Sequence, residues 1–471
     1  MSASQTLCEN MISTQQVRQR SASVSSQLSV TLRSSDVTET TEPTLTTDNL
    51  AQFPKKVTGD LVWSGADASA PTHHVIQLDT ADVLEIENAV ASFKGILRNN
   101  EAQELHGDKV SCETFPLSDN LSARLRGASD AVHNKQGFCV LRGLEAAKYS
   151  PEDNTLIYLG TASYIGNIRG IQDSNGNMLS HVTSVKAWES LPDRLRHGVH
   201  TNKSMPFHND MGADILCLHY RQVAKEGGFI HLSSVSTIYN ELAANFPRVL
   251  EVLATPNWPI QITKTRLRHF LASLISYHDG KVMASLDPGR LGRQQANPEH
   301  VPSKANTGAA SSLLRVPTLT RTQRDALAVF DQLAHKHKIS VSMQAGDILL
   351  VNNLALVHAR DAYTDEEVAG GQRRHAVRMW LHDEKLAWSR PAGMRVPWLA
   401  AFGYHFKPQG SLGDEAEDGI SARARRVVNR KYPIVPAVDY RIPKYTAGSA
   451  AFVLDSSDDE AEYLDDDSDW E

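Results

Sequence analysis

Apolar residues along the chain change their period several times. From Val83 to Leu97 they recur at three- and four-residue steps, which predicts an amphipathic helix. Gly137 to Gly143 encloses the short apolar run Phe138-Cys139-Val140-Leu141, which reads as a buried strand stopped by glycine. Thr320 to Ala334 returns to the helical period. Thr320 and Gln323 form a capping box at its start, and Leu327, Phe330 and Ala334 share one face. Ile339 to Met343 then predicts a strand, Gly346-Asp347 a turn, and Ile348 to Val351 and His375 to Leu381 two further strands. No internal repeat interrupts this order. Many short strands joined by glycine turns predict a mainly β protein, a jelly-roll or barrel with helices flanking it.

Both ends of the chain break the pattern. The first fifty residues contain nineteen Ser or Thr and few aromatics. Such a stretch has too little apolar surface to offset its ordering entropy. Residues 1–55 therefore read as a disordered Ser/Thr-rich leader. Their Arg content and scarcity of acids through Arg33 leave an organelle transit peptide as the alternative. From Asp455 to Glu471 ten residues are acidic and none is Lys or Arg, which reads as a disordered acidic tail. Ser456 and Ser457, just before Asp458-Asp459-Glu460, suit an acid-directed kinase. Residues 56–450 are left as the folded domain.

The net charge of −7 belongs to that tail; without it acids and bases nearly balance. The balance gives no nucleic-acid footprint. The four cysteines, Cys8, Cys112, Cys139 and Cys217, form no C-x-x-C pair and are too few for a disulfide framework. They suit a reducing compartment, so the expected location is cytoplasmic, with a mitochondrial one as the alternative through the leader. No apolar run has the length of a membrane span, and no signal-peptide core follows Met1.

The chemistry concentrates around Pro206-Phe207-His208-Asn209-Asp210-Met211-Gly212. On a strand, His208 and Asp210 project from one face with Cα atoms roughly 6.5–7 Å apart, close enough to chelate one metal ion. A second His from a later strand would complete a 2-His-1-carboxylate set, the arrangement of non-heme Fe(II) oxygenases. His358 follows the apolar strand at 348–351 and is the candidate. His335 and His337, at a helix end among lysines, read as solvated. His219 and His231 lack a carboxylate at strand spacing. Downstream, Arg374, Ala376, Arg378 and Trp380 alternate onto one face. Buried guanidinium groups need anions, and a ligand carboxylate is a natural partner. The two arginines lie about 13 Å apart along an extended strand, so they serve different anions or different ends of one site.

The ordered set His208-x-Asp210, Asn352-Asn353-x4-His358-x-Arg360 and Arg373-Arg374-x3-Arg378 resembles the taurine dioxygenase/clavaminate synthase-like family, in its fungal members especially. The likeness covers roughly residues 100–390. It implies a double-stranded β-helix, a jelly-roll variant, and an oxygenase that uses Fe(II), 2-oxoglutarate and O2. It implies that His208, Asp210 and His358 bind iron and that Arg374 holds the distal carboxylate of 2-oxoglutarate. It also implies that Arg378 contacts an acidic substrate or orders the co-substrate. The reaction implied is hydroxylation or desaturation of a small molecule, an acid among the candidates, with succinate and CO2 as co-products. An intact carboxylate at Asp210 argues against halogenation. One position departs from the family. Thr or Ser often stands two residues after the paired glycine, but here Gly227-Gly228 leads to Ile230, which donates no hydrogen bond; Ser233 or Ser234 are substitutes. The Asp/Glu/Gly-containing insertion Thr364 to Gly371 reads as an exposed hairpin loop. Substrate identity and oligomeric state are not legible.

Overall fold

A computed structural model of the chain describes residues 50–71, 74–98, 107–173, 176–184, 198–261, 269–292, 316–367, 371, 373–406 and 430–436. All of them fall in one unit of the chain, residues 46–471. Two sheets dominate it. The larger has seven strands, in the order Val75–Gln77, Phe138–Arg142, Ile348–Asn352, Ile215–Gln222, His375–His382 and Ile168–Gly170, with Ser180–Thr183 also paired to His375–His382. The smaller has four, in the order Ile339–Val341, Ile230–Ser234, Leu356–Arg360 and Met205–His208. Except for Val75–Gln77 beside Phe138–Arg142, every pairing in these two sheets is antiparallel.

Alternation explains why the core strands read as continuous apolar runs. In Ile215–Gln222, Leu216, Leu218 and Tyr220 face the smaller sheet, while Ile215 and Cys217 face a helical layer. In His375–His382, Ala376 and Trp380 point inward, and Val377, Met379 and Leu381 point to the helices. A strand covered on both faces needs apolar residues at both phases of its pleat. The outer layer of the larger sheet is built from helices Thr80–Arg98, Asp119–Asn134 and Pro151–Ala162. The smaller sheet turns Ile230, Leu232, Val341 and Leu356 inward. Its other face, with Phe207, Val357 and Ala359, packs against helices Val235–Asn245, Pro247–Ala254 and Arg321–His337. No helix among the described residues is long and apolar enough to cross a membrane.

The expected helices and strands are present, with small shifts at their ends. The capping box forms as read: Gln323 N–H donates to Thr320 Oγ1 at 3.1 Å and Thr320 N–H to Gln323 Oε1 at 3.0 Å. Three readings need correction. The helix runs on to His337, and that residue is buried rather than solvated. Its Nε2 donates to Glu241 at 2.6 Å, and Ser64 Oγ lies 2.8 Å from its Nδ1, because the last turn is covered by the chain near residue 64. The leader boundary at residue 55 is too late: Leu50 and Phe53 pack on the core of the smaller sheet, and Tyr239 donates to the carbonyl of Pro54. The insertion is not wholly a free loop either, since Tyr363–Thr364 pairs with Glu226–Gly227; residues 368–370 lie outside the described residues, as do 1–49 and the acidic tail.

The turn before Ile348–Asn352 depends on a glycine. Gly346 has φ +95°, and a Cβ there would meet the Leu144 carbonyl oxygen at 1.8 Å. Its N–H also donates to the Tyr220 carbonyl at 2.7 Å. Gly346→Ala is expected to lower the unfolding free energy by about 1–3 kcal/mol or more, measured by urea titration. An unchanged midpoint would contradict this account of the turn.

Candidate metal centre

Antiparallel pairing brings the two histidines together. Leu356–Arg360 lies beside Met205–His208 with His358 directly opposite His208. Opposed residues in a sheet share a face. That face is the inner one, because His358 is two residues from the inward Leu356. The ring centroids are 4.2 Å apart. Asp210 comes from a different geometry than expected. The strand stops at His208, and Asp210 stands in the turn that follows. An ideal strand is not what makes this pair chelating; the turn carries the carboxylate back toward the two rings.

Three ligand atoms converge there. Asp210 Oδ1 lies 4.0 Å from His208 Nε2 and 4.0 Å from His358 Nε2. These are the His/Cys/Asp/Glu group among the described residues with ligand atoms within 4.8 Å of one another. All three residues are buried. His208 Nδ1 donates to the Pro206 carbonyl at 2.7 Å, which leaves the lone pair on Nε2. Burial, and then the neighbouring His208 and Arg378, hold the His358 pKa well below the usual histidine range. Its ring is therefore neutral at physiological pH, the form that binds a metal.

The carboxylate of Asp210 is divided between two tasks. Its Oδ2 accepts from Arg378 Nη1 at 2.8 Å and from Trp380 Nε1 at 2.8 Å. Its Oδ1 is buried and has no hydrogen-bond partner among the described residues. A buried anionic oxygen without a partner is costly. Facing two imidazole Nε2 atoms, it fits a divalent cation held by two nitrogens and one oxygen.

A pair of asparagines fixes the turn. Asn353 Oδ1 accepts from Asp210 N–H at 2.9 Å, and its Nδ2 donates to the carbonyls of Asp210 and Ala213 at 2.7 and 2.8 Å. Asn209 Nδ2 donates to the carbonyls of Ala284 and Asn353 at 2.6 and 2.9 Å, and its Oδ1 accepts from Leu286 N–H at 2.6 Å. Asn352 acts on its own chain, with Oδ1 accepting from the N–H groups of Leu354 and Ala355 at 3.1 Å. Gly212 completes the turn at φ +102°, with the Pro397 carbonyl oxygen 2.6 Å from where a Cβ would stand.

The two arginines take separate places, as the strand spacing predicts. Arg378 is occupied by protein: besides Asp210, its Nε donates to Gln172 Oε1 at 2.8 Å. Gln172 in turn donates from Nε2 to the carbonyls of Met178 and Arg378 at 2.8 Å each. Arg374 stands one residue before its strand and is also buried. It stacks on Tyr220 and Tyr363 at 5.3 and 5.5 Å from the ring centroids, and Nη2 reaches the Tyr220 hydroxyl at 3.3 Å. Its Nη1 is buried without a partner among the described residues. Gly228 makes room here, since a Cβ would come within 3.3 Å of Arg374 Cδ. Arg360, which sequence reasoning left without a role, shares the Tyr363 ring at 5.1 Å. Burial and the nearby Arg374 bring its pKa down to about 10. Ser233 and Ser234 do not supply the missing hydroxyl: Ser234 Oγ donates to the Leu61 carbonyl and caps a helix. Ser233 lies opposite Val357, which faces the outer layer. His219 is buried against Tyr158 and His231 is 2.8 Å from Asp361, both away from the triad.

The asparagine clamp predicts a local effect on metal affinity. Asn353→Ala is expected to weaken Fe(II) binding roughly 10–100-fold while the far-ultraviolet circular dichroism stays native. Fe(II) titration under anaerobic conditions measures it; wild-type affinity in the variant would show that the turn holds itself.

Comparison with known proteins identifies the family. The profile of the Taurine catabolism dioxygenase TauD, TfdA family matches residues 101–380. The taurine hydroxylase-like protein SAT17 of Stachybotrys chartarum is 31% identical over 345 residues, 72% of this chain and 83% of the relative. The FR-33289 synthase of Streptomyces rubellomurinus is 24% identical over 341 residues, 70% of this chain and 91% of the relative. Among solved structures, asparagine oxygenase in complex with Fe(II), 3-hydroxyasparagine and succinate overlays with a TM-score of 0.49 at 14% identity, covering 66% of this chain and 94% of that one. The match over residues 101–380 spans every residue of the triad and both arginines of the following strand. The chain belongs to the TauD/TfdA family of dioxygenases, enzymes of the non-heme iron, 2-oxoglutarate-dependent class.

Proposed function

We propose that this protein is an Fe(II)- and 2-oxoglutarate-dependent dioxygenase that oxidises a C–H bond of a small molecule, with succinate and CO2 as co-products. The observation that carries the reading is Oδ1 of Asp210, without a hydrogen-bond partner among the described residues and 4.0 Å from each of two imidazole Nε2 atoms. Strands that alternate between two facing sheets support a double-stranded β-helix as the frame. His208, Asp210 and His358 would hold the iron. When bound, iron would combine with 2-oxoglutarate and O2 to supply the oxidant that removes hydrogen from a C–H bond, one oxygen atom of O2 ending in succinate and the other in the hydroxylated product.

The residues around the triad have definable tasks. Arg378 and Trp380 neutralise and aim one oxygen of Asp210, so that the other is presented at a fixed angle. Arg374, buried with an Nη1 that has no partner among the described residues, would take the distal carboxylate of 2-oxoglutarate. The apolar inner faces of both sheets keep bulk water from the centre. Arg378 already has an internal carboxylate, which favours a positioning role over direct contact with an acidic substrate. A carboxylate at position 210 favours hydroxylation-type chemistry over halogenation, and the taurine hydroxylase-like relative supports a hydroxylation.

Succinate formation from 2-oxoglutarate by purified protein with Fe(II) tests the reading. Chelation of iron is expected to stop it, and Asp210→Ala to abolish it. Unchanged turnover in Asp210→Ala would remove that residue from the centre. The two arginines should separate by phenotype. Arg374→Ala raises the 2-oxoglutarate requirement, whereas Arg378→Ala weakens iron retention, each by about tenfold or more, the scale of a lost charge-assisted hydrogen bond. Equal effects on both quantities would show that the roles are assigned wrongly.

A further inference from the structure

We propose that Arg360 is the second cation for the distal carboxylate of 2-oxoglutarate, gripping it together with Arg374. The inference rests on the co-substrate reading above. Arg360 is 4% exposed and lies two residues beyond His358 on the same strand, so its side chain leaves from the same inner face. Its Nη2 is tied to the carbonyls of Thr201 and Lys203. Those bonds hold the guanidinium still while Nε and Nη1 stay buried with no partner among the described residues. Arg374 Nη1 is in the same condition. Both guanidinium carbons stand within 5.5 Å of the Tyr363 ring centroid.

Two buried cations around one neutral ring repel each other, and their open N–H groups are desolvated. Neither makes an ion pair with an acid among the described residues. Asp365 acts on Arg360 electrostatically, but its Oδ1 accepts from the Arg374 backbone N–H at 2.8 Å. Such an arrangement calls for an external anion with more than one acceptor oxygen. A carboxylate provides two oxygens, and guanidinium groups match it in a planar, directional way. The position of Ile230 strengthens the argument. Ile230 pairs directly with Arg360 across the sheet, so the two side chains share a face. Ile230 offers no donor there, and beside it stands a cation whose Nε and Nη1 have no partner among the described residues.

The test is calorimetric binding to the full-length Fe(II) protein without oxygen. The probes are 2-oxoglutarate and 2-oxobutyrate, which has the same 2-oxo acid head but no distal carboxylate. Arg360→Gln is expected to weaken 2-oxoglutarate binding about tenfold or more while 2-oxobutyrate binding stays within about twofold. Ile230→Thr in the Arg360→Gln background should recover part of the loss. Arg360→Lys, which keeps the charge but not the fork, should lie between wild type and Arg360→Gln and covers the case in which Gln does not fold. Wild-type 2-oxoglutarate affinity in a folded Arg360 variant would overturn the inference and assign the cation elsewhere, for example to a substrate anion. Equal loss of both probes would also overturn it, as a purely structural effect. If the wild-type Fe(II) protein itself binds no 2-oxoglutarate, the co-substrate reading fails instead.

Discussion

The centre depends on how one carboxylate is shared. Arg378 and Trp380 both bind Oδ2 of Asp210, and nothing among the described residues binds Oδ1. Without those two donors the carboxylate could rotate. With them, its open oxygen is held facing two imidazoles. Both donors come from one strand, His375–His382, in the larger sheet, while His208 and His358 come from the smaller one. The three candidate ligands therefore converge where the two sheets meet, with Asp210 brought in by the turn after the strand Met205–His208.

The layers outside serve that junction. Each sheet is covered on its far side by helices, so its strands are anchored through apolar residues at the alternate phase. Polar and charged side chains at the inner phase can then be held without solvent. Arg378, Gln172, Asn209 and Asn353 form a continuous set of bonds around the Asp210 turn. Behind it Asp214 gathers His382, Arg390 and Trp398, a second buried ionic cluster that pins the other end of the same turn. Preorganisation of this kind gives a metal site its affinity, because no ordering remains to be done when the ion arrives.

Much of this was legible in residue order. The inward alternation of Arg374, Ala376, Arg378 and Trp380 and the capping box at Thr320 follow from local spacing, and the structure has both in the expected relation; His208, Asp210 and His358 are legible as a motif and do converge, although Asp210 arrives by a turn and not along a strand. The exceptions share a cause. Asn353 clamps Asp210 across 143 positions, His337 meets Ser64 across 273, and Arg360 meets the carbonyl of Thr201 across 159. No periodicity reports a contact of that range. The turn at Asp210 was misread as strand for a related reason: i and i+2 share a face only while the chain stays extended, and Gly212, at positive φ, marks where it does not. Leu50 and Phe53 were assigned to the leader because two apolar residues in a polar stretch give no period, although they suffice to dock it.

The central claim is that His208 Nε2, Asp210 Oδ1 and His358 Nε2 bind one Fe(II) together. An anomalous difference map at the iron edge, from crystals grown with Fe(II) without oxygen, addresses it directly. The account predicts one strong peak bonded to those three atoms, with Asp210 Oδ2 still held by Arg378 and Trp380. A peak bonded to other residues, or to Asp210 through Oδ2 with the arginine displaced, would contradict it.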